Sequence, residues 1–270
     1  MVAEPPAKPL TGCVVVITRP RAQAAALADP LSALGAEVLV APTIRIAPTV
    51  LNDQIRAAVR TVGQYDLVVF TSANAVREFV ARLLECGGTA RLLSDALVVV
   101  VGPATAAAAR AAGMEPALMA QEFAAEGLLA ALDERDVTLA GARVLLPRAA
   151  EARDVLPETL RARGATVDVL TVYETQPAPA LAVSAARLEA ADVITFTSAS
   201  AARGFAELMG DDPTGAGRPL AARLAGTRLC SIGPQTSAAL VELGLRVAME
   251  AEPHTSDGLV RVIVAFAAPD

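Results

Sequence analysis

The segment Tyr65-Asp66-Leu67-Val68-Val69-Phe70-Thr71-Ser72-Ala73-Asn74-Ala75 returns, displaced by 126 residues, as Ala191-Asp192-Val193-Ile194-Thr195-Phe196-Thr197-Ser198-Ala199-Ser200-Ala201. Each copy runs from an aspartate through four largely apolar residues into a Thr-Ser turn. A short continuous apolar run bounded by turn residues is the pattern of a strand covered on both faces. Flanking segments repeat in the same order. Gly12 to Arg19 matches Gly141 to Arg148 at a displacement of 129, and Leu34-Gly35-Ala36-Glu37-Val38 matches Arg163-Gly164-Ala165-Thr166-Val167 at the same displacement. Val101-Gly102-Pro103-Ala104-Thr105 then meets Ile232-Gly233-Pro234-Gln235-Thr236 at 131, as Glu126-Gly127-Leu128 meets Asp257-Gly258-Leu259. Five segments in one order mean two copies of one α/β unit.

The runs Val14 to Thr18, Leu67 to Phe70, Val98 to Val101, Val144 to Leu146, Val193 to Phe196 and Leu229 to Ile232 are the predicted strands. Apolar-periodic helices follow them, for example over Ala75 to Leu84 and Thr105 to Ala112. Gly35, Gly113, Gly164 and Gly244 stand where a helix would end in a left-handed cap. The fold class is therefore α/β, with two similar doubly wound parallel-sheet domains produced by internal duplication. Two proline-bounded stretches at equivalent repeat positions, Ala41 to Pro48 and Leu170 to Pro179, read as linker strands rather than core strands. Gly210 to Arg218, with Asp-Asp-Pro and Gly-Ala-Gly, reads as a surface loop.

Composition narrows the function classes. Of 270 residues 54% are hydrophobic and 19% charged, which supports an ample core. The formal charge of −6 argues against a broad nucleic-acid-binding face, though a local basic pocket is compatible with it. One histidine excludes a His-rich metal centre. Cys13, Cys86 and Cys230 form no CxxC pair, and each reads as a small buried apolar side chain in a reducing compartment. The first ten residues have no signal-peptide character, and the apolar stretch Leu97 to Ala109 is too short and too broken by Gly-Pro to cross a bilayer. The expectation is a cytoplasmic protein without a membrane or nucleic-acid partner.

Ligands of open parallel sheets bind at the carboxyl ends of the strands. There the chain places Thr71, Ser72, Asn74 and Thr105 in one repeat set and Ser198, Ser200 and Thr236 in the other. Helix capping alone explains any one of these motifs. Four of them together also suit anionic oxygens, because exposed N–H groups and hydroxyls converge at helix N-termini. Arg19 and Arg148 follow the first strand of each repeat, where a guanidinium can fork a carboxylate. Arg21 and Arg153 are weaker candidates, and His254 reads as a loop residue. Neither GxxxxGK[ST] nor GxGxxG occurs, which removes support for nucleotide chemistry.

Val15-Val16-Ile17-Thr18-Arg19-Pro20, Asp66 to Val76, Val101 to Thr105, Val172-Tyr173-Glu174-Thr175, Ile194 to Ser198, Ile232 to Thr236 and Ser256 to Leu259 together resemble the uroporphyrinogen-III synthase family, from about Gly12 to Ala265. The resemblance implies a discontinuous first domain (1–42 with 176–270), a second domain over 49–169, and linker strands 43–48 and 170–175 paired between the lobes. The repeat alone equally allows two sequential domains broken near Ala140. The resemblance further implies a cofactor-free lyase that closes hydroxymethylbilane with inversion of ring D. Its substrate would be handed over by porphobilinogen deaminase. The family carries a tyrosine in the motif of Tyr173, one of only two tyrosines here. Its phenol would donate a hydrogen bond to the departing hydroxyl. Tyr65, matched by Ala191, reads as structural. A metal site is not expected, and no oligomerisation motif stands out, so a monomer is. The competing readings are a non-catalytic tetrapyrrole-binding or regulatory module of the same fold and, last, a phosphosugar-binding α/β enzyme.

Overall fold

The structure is a computed structural model that describes residues 8–120, 125–152, 154–210 and 217–267. Eleven strands occur among them: β1 (Val14–Ile17), β2 (Glu37–Val40), β3 (Ile44–Pro48), β4 (Leu67–Phe70), β5 (Leu97–Val101), β6 (Leu118–Ala120), β7 (Arg143–Ala149), β8 (Thr166–Pro177), β9 (Val193–Phe196), β10 (Arg228–Ser231) and β11 (Val247–Glu250). They form a five-stranded sheet in the order β11-β10-β9-β1-β2 and a six-stranded sheet in the order β3-β8-β7-β4-β5-β6. The chain divides into two units, Met1–Arg45 with Gln176–Asp270 and Ile46–Thr175. It passes from one to the other within β3 and within β8.

When the strands are numbered within each repeat, both sheets share one order. The second strand lies beside the first, and the first beside the third, fourth and fifth, as in flavodoxin-like sheets. Each sheet takes its first two strands from one repeat and its last three from the other, and β3 of the first repeat adds a sixth, edge strand beside β8 in the second sheet. The crossing is made at β1 beside β9 in one unit and at β7 beside β4 in the other, through parallel pairs Val15↔Val193 and Leu67↔Val144. The aspartates that open the repeated segment fasten these joints. Asp192 Oδ2 accepts from Val14 N and Asp66 Oδ2 from Arg143 N, both at 2.7 Å. A carboxylate before the third strand of one repeat thus holds the first strand of the other.

Alternate residues along each strand enter opposite cores. Val68, Phe70, Val98 and Val100 join Phe79 and Leu83 on one side of the six-stranded sheet, whereas Leu67, Val69, Val99 and Val101 join Leu128, Leu132 and Leu160 on the other. The duplication extends into these cores: Phe70 meets Phe79 with ring centroids 5.6 Å apart, and Phe196 meets Phe205 at 5.3 Å. The four predicted helix-ending glycines all have left-handed φ, from +72° to +99°. The segment 170–175, expected as a linker strand, is instead a continuation of β8. Pairing with β7 extends to Ala149↔Tyr173, with Leu170 and Val172 in the core. Its apolar alternation is that of a sheet strand, and the proline-rich boundary comes only at Pro177.

Cys230 is buried, but Cys13 and Cys86 are only half-buried. No helix among the described residues is long and apolar enough to cross a membrane. Residues 211–216 of the expected surface loop lie outside the described residues. Its flanks are held by Arg223, whose fully buried side chain pairs with Glu189 at 2.9 Å and donates to Gly210 O at 2.9 Å and Met209 O at 3.2 Å.

Candidate functional site

In each unit the switch in strand order puts the carboxyl ends of two neighbouring strands against helix N-termini. In the unit Ile46–Thr175 this point lies between β7 and β4. The turn after β4 reaches Ser72, whose extended backbone (φ −153°, ψ 151°) makes it the N-cap of helix Ala73–Glu85. Its Oγ accepts from Ala75 N at 3.1 Å. The same Oγ lies 3.0 Å from Tyr173 Oη. Tyr173, which pairs with Ala149 at the carboxyl end of β7, is only 6% exposed. Burial pushes its phenol pKa above the ordinary value, while side-chain hydrogen bonds from Ser72 and Asn74 oppose the shift; the nearby carboxylates of Glu151 and Glu78 reinforce it. At neutral pH the group is a proton-bearing phenol. Thr71, half-buried, opens the same turn.

The unit that contains β1 has a different side-chain set at its switch point. Ser198 caps helix Ala199–Met209 by accepting from Ala201 N at 3.1 Å, and its Oγ lies 3.0 Å from Ser200 Oγ. Arg19, directly after β1, donates from Nε to Thr197 Oγ1 and from Nη1 to Ser256 Oγ, both at 3.2 Å. Ser256 begins helix Ser256–Ala267. The adjoining glycine is fixed by close approach, since a Cβ on Gly258 would stand 1.9 Å from Pro253 O. A guanidinium between two hydroxyls at a helix N-terminus can hold a carboxylate.

Three candidates differ from their sequence reading. Thr105 and Thr236 are 3% and 4% exposed, where the sequence placed them at open strand ends. They occupy the third residue of helices Pro103–Ala111 and Pro234–Glu242, on the face that also buries Ala106 and Ala109, or Ala239 and Leu240. Arg148 is not the counterpart of Arg19 in its contacts. Its side chain is 10% exposed and turns onto its own loop, donating to Ala152 O at 2.9 Å and pairing with Asp154 at 2.7 Å. Among the weaker candidates, Arg21 is exposed, Arg153 lies outside the described residues, and His254 Nδ1 lies 2.8 Å from Ala251 O. Thr197 and Ser256 as partners of Arg19, and Glu151 and Glu78 around Tyr173, were not singled out from sequence. The Arg19 contacts span 178 and 237 residues, and no local signal reports such distances.

A groove of about 610 Å³ lies at the other end of the second sheet, among Tyr65, Arg143, Arg161, Gln54 and Asp168. Its side chains serve the strand edge: Gln54 and Arg161 donate to the carbonyls of Val169 and Val167 on β8. Tyr65 Oη donates to Asp168 at 2.7 Å, consistent with a structural tyrosine. Among the described residues no group of three His, Cys, Asp or Glu side chains could hold a metal ion.

The model of the family described as uroporphyrinogen-III synthase HemD matches residues 25–261. Uroporphyrinogen-III synthase of Synechococcus elongatus is 33% identical over 266 residues, 96% of this chain and 97% of that protein. The protein of the same name from Chlorobaculum parvum is 29% identical over 86% of this chain and 90% of its own. Among solved structures, a mutant uroporphyrinogen III synthase from Thermus thermophilus superposes with a TM-score of 0.62 at 21% identity, covering 94% of this chain and 98% of that one. That likeness concerns the fold. The family match across most of the chain and the end-to-end similarity to the Synechococcus protein agree with the duplicated sheets and their paired turns, and the chain belongs to the uroporphyrinogen-III synthase family.

Proposed function

We propose that the chain is a lyase that closes hydroxymethylbilane to uroporphyrinogen III, losing water and inverting ring D, as a monomer in the cytoplasm. The observation that carries this reading is the protonated, buried phenol of Tyr173 beside Ser72 Oγ, at the carboxyl end of its sheet. The linear substrate has a hydroxymethyl group on one terminal pyrrole and a free α-position on ring D. Tyr173 Oη–H donates to the hydroxyl oxygen as the carbon–oxygen bond breaks, and the hydroxyl departs as water. The electron pair of the pyrrole nitrogen stabilises the resulting azafulvene, so the electrophile is supplied by the substrate itself.

Ring D then attacks through its substituted α-carbon, and the spiro intermediate opens and recloses with the ring inverted. The proton released when the pyrrole regains aromaticity balances the one given up by Tyr173. Neither redox change nor covalent attachment to the protein is needed. What remains for the chain is to hold a flexible octacarboxylate so that inverted closure outruns the uninverted one. Arg19 with Thr197 and Ser256, and the hydroxyls of Ser198, Ser200 and Thr71, are the groups proposed to hold its carboxylates. General acid assistance of this kind contributes roughly 10²–10⁴-fold.

A coupled assay tests the proposal. Porphobilinogen and porphobilinogen deaminase are incubated with and without this chain, and the oxidised porphyrin isomers are separated. The type III isomer is expected to replace type I without added metal or cofactor. Type I alone, from folded protein, overturns the reading.

A further inference from the structure

We infer that Ser72 is a positioning residue for Tyr173: its hydroxyl donates to Tyr173 Oη and turns the phenol proton outward, toward the substrate. This rests on the proton-donor reading of Tyr173 above. The hydroxyl of serine has one proton and two lone pairs. At Ser72 one lone pair is occupied by Ala75 N–H, because the residue caps helix Ala73–Glu85. The proton of Ser72 has one acceptor near it among the described residues, Tyr173 Oη at 3.0 Å.

The second neighbour of the phenol acts in the same direction. Asn74 Oδ1 accepts from Arg77 Nη1 at 3.3 Å, which assigns the oxygen of the amide and leaves its NH₂ side to face other partners. Its side-chain hydrogen bond to Tyr173 is therefore given by a donor. With donors from Ser72 and Asn74 on the phenol oxygen, the phenol O–H has to point elsewhere. The same two donors stabilise the negative charge that grows on Oη while its proton moves to the leaving hydroxyl. Helix capping thus has a second consequence here: the rigid N-terminus of a helix fixes the serine, and the serine fixes the direction of the acid. The equivalent cap, Ser198, faces Ser200 rather than a tyrosine.

The test is a double-mutant cycle on formation of the type III isomer, run well below the unfolding transition because Ser72→Ala also removes a helix cap. Ser72→Ala is expected to lower kcat about tenfold with KM within about twofold, the effect of one lost hydrogen bond in the transition state. Ser72→Thr, which keeps both cap and proton, restores kcat. In a Tyr173→Phe background Ser72→Ala has no further effect on kcat, since the group it orients is gone. Multiplying effects, or an unchanged kcat in Ser72→Ala, overturn the inference while leaving the synthase reading intact. An activity-independent arm follows phenolate absorbance near 295 nm, which is clean in a chain with two tyrosines and no tryptophan. The Tyr173 transition moves to higher pH in Ser72→Ala, and an unmoved transition refutes the donated hydrogen bond even if the wild-type chain produces only the type I isomer.

Discussion

A methyl group at position 204 tests how tightly helix Ala199–Met209 is held against the segment that enters β3. Alanine normally stabilises a helix interior relative to glycine by about 1 kcal/mol. Here a Cβ would stand 2.5 Å from Thr43 O and 3.1 Å from Ile44 Cγ2. Ordinary contact begins at 3.4 Å, so the helix and the Thr43 backbone would have to separate by about 0.9 Å. Thr43 is unable to yield freely. Its Oγ1 donates to Ala201 O at 2.8 Å, its carbonyl accepts from Ala178 N at 3.0 Å, and its N–H donates to Thr18 O at 3.1 Å. Overpacking of this kind costs about 1–3 kcal/mol, and a weakened hydrogen bond about 1 more. After the propensity gain, Gly204→Ala is expected to destabilise by about 1–3 kcal/mol, lowering the melting midpoint of that unit by roughly 3–10 °C. Urea and thermal unfolding followed by far-UV circular dichroism measure this. Tyrosine fluorescence isolates the other unit, because Tyr65 and Tyr173 both lie within Ile46–Thr175. A circular-dichroism midpoint that stays put or rises would show that the helix has slack and that the close approach is not a constraint.

Tyr173→Phe should lower the rate of type III formation about tenfold to a hundredfold with little change in KM; full activity in a folded variant removes the proton-donor role. Arg19→Ala should raise KM with a small change in stability, whereas Arg148→Ala should chiefly lower the unfolding midpoint, because Arg148 ties its own loop through Ala152 and Asp154. Steady-state kinetics and melting curves of the two variants, side by side, separate these outcomes, and equal KM effects would refute the distinction. Stability should fall with rising pH between about 9 and 12. Burial pushes the Cys230 thiol up to about 12, and burial with the Asp168 hydrogen bond takes the Tyr65 phenol up to about 12. Above about pH 9 the unfolded chain releases these protons and the folded chain keeps them, so the unfolded state gains. Urea midpoints at pH 7, 9 and 10.5 measure the slope; Cys230→Val and Tyr65→Phe should flatten it, and a slope unchanged in both variants refutes the assignment.

Much of the fold was legible because duplication writes it twice. The apolar runs are the strands, the Thr-Ser turns cap helices at Ser72 and Ser198, and the glycines after helices take left-handed φ. The exchange of strand pairs between repeats was not legible, because local patterns are identical whichever copy of the first strand lies beside the third. The signal was nevertheless present in one residue type. Asp66 and Asp192 each precede a strand whose own backbone does not need them, and each holds the first residue of the neighbouring sheet strand. For the candidate threonines the sequence showed a polar residue near a strand end but not its direction. Two residues into a helix the residue already lies on the buried face, as Thr105 and Thr236 do.

The two arginines show why equal repeat positions do not give equal chemistry. Pro20 follows Arg19 and the helix begins at Arg21, so a single residue connects Arg19 to that helix. Its guanidinium reaches Thr197 and Ser256 on distant segments. After Arg148 the strand continues through Ala149 and the next helix waits until Val155. The intervening residues supply Ala152 O and Asp154, so Nη2 finds both acceptors within six residues. The length of the connection therefore decides whether the same residue reaches distant segments or its own loop. The same divergence separates the capped turns: at a displacement of 129 the counterpart of Tyr173 is Ile44, a core residue. Duplication supplied two equal scaffolds, and short changes in the connections left one with a tyrosine beside its capping serine and the other with an arginine between two hydroxyls.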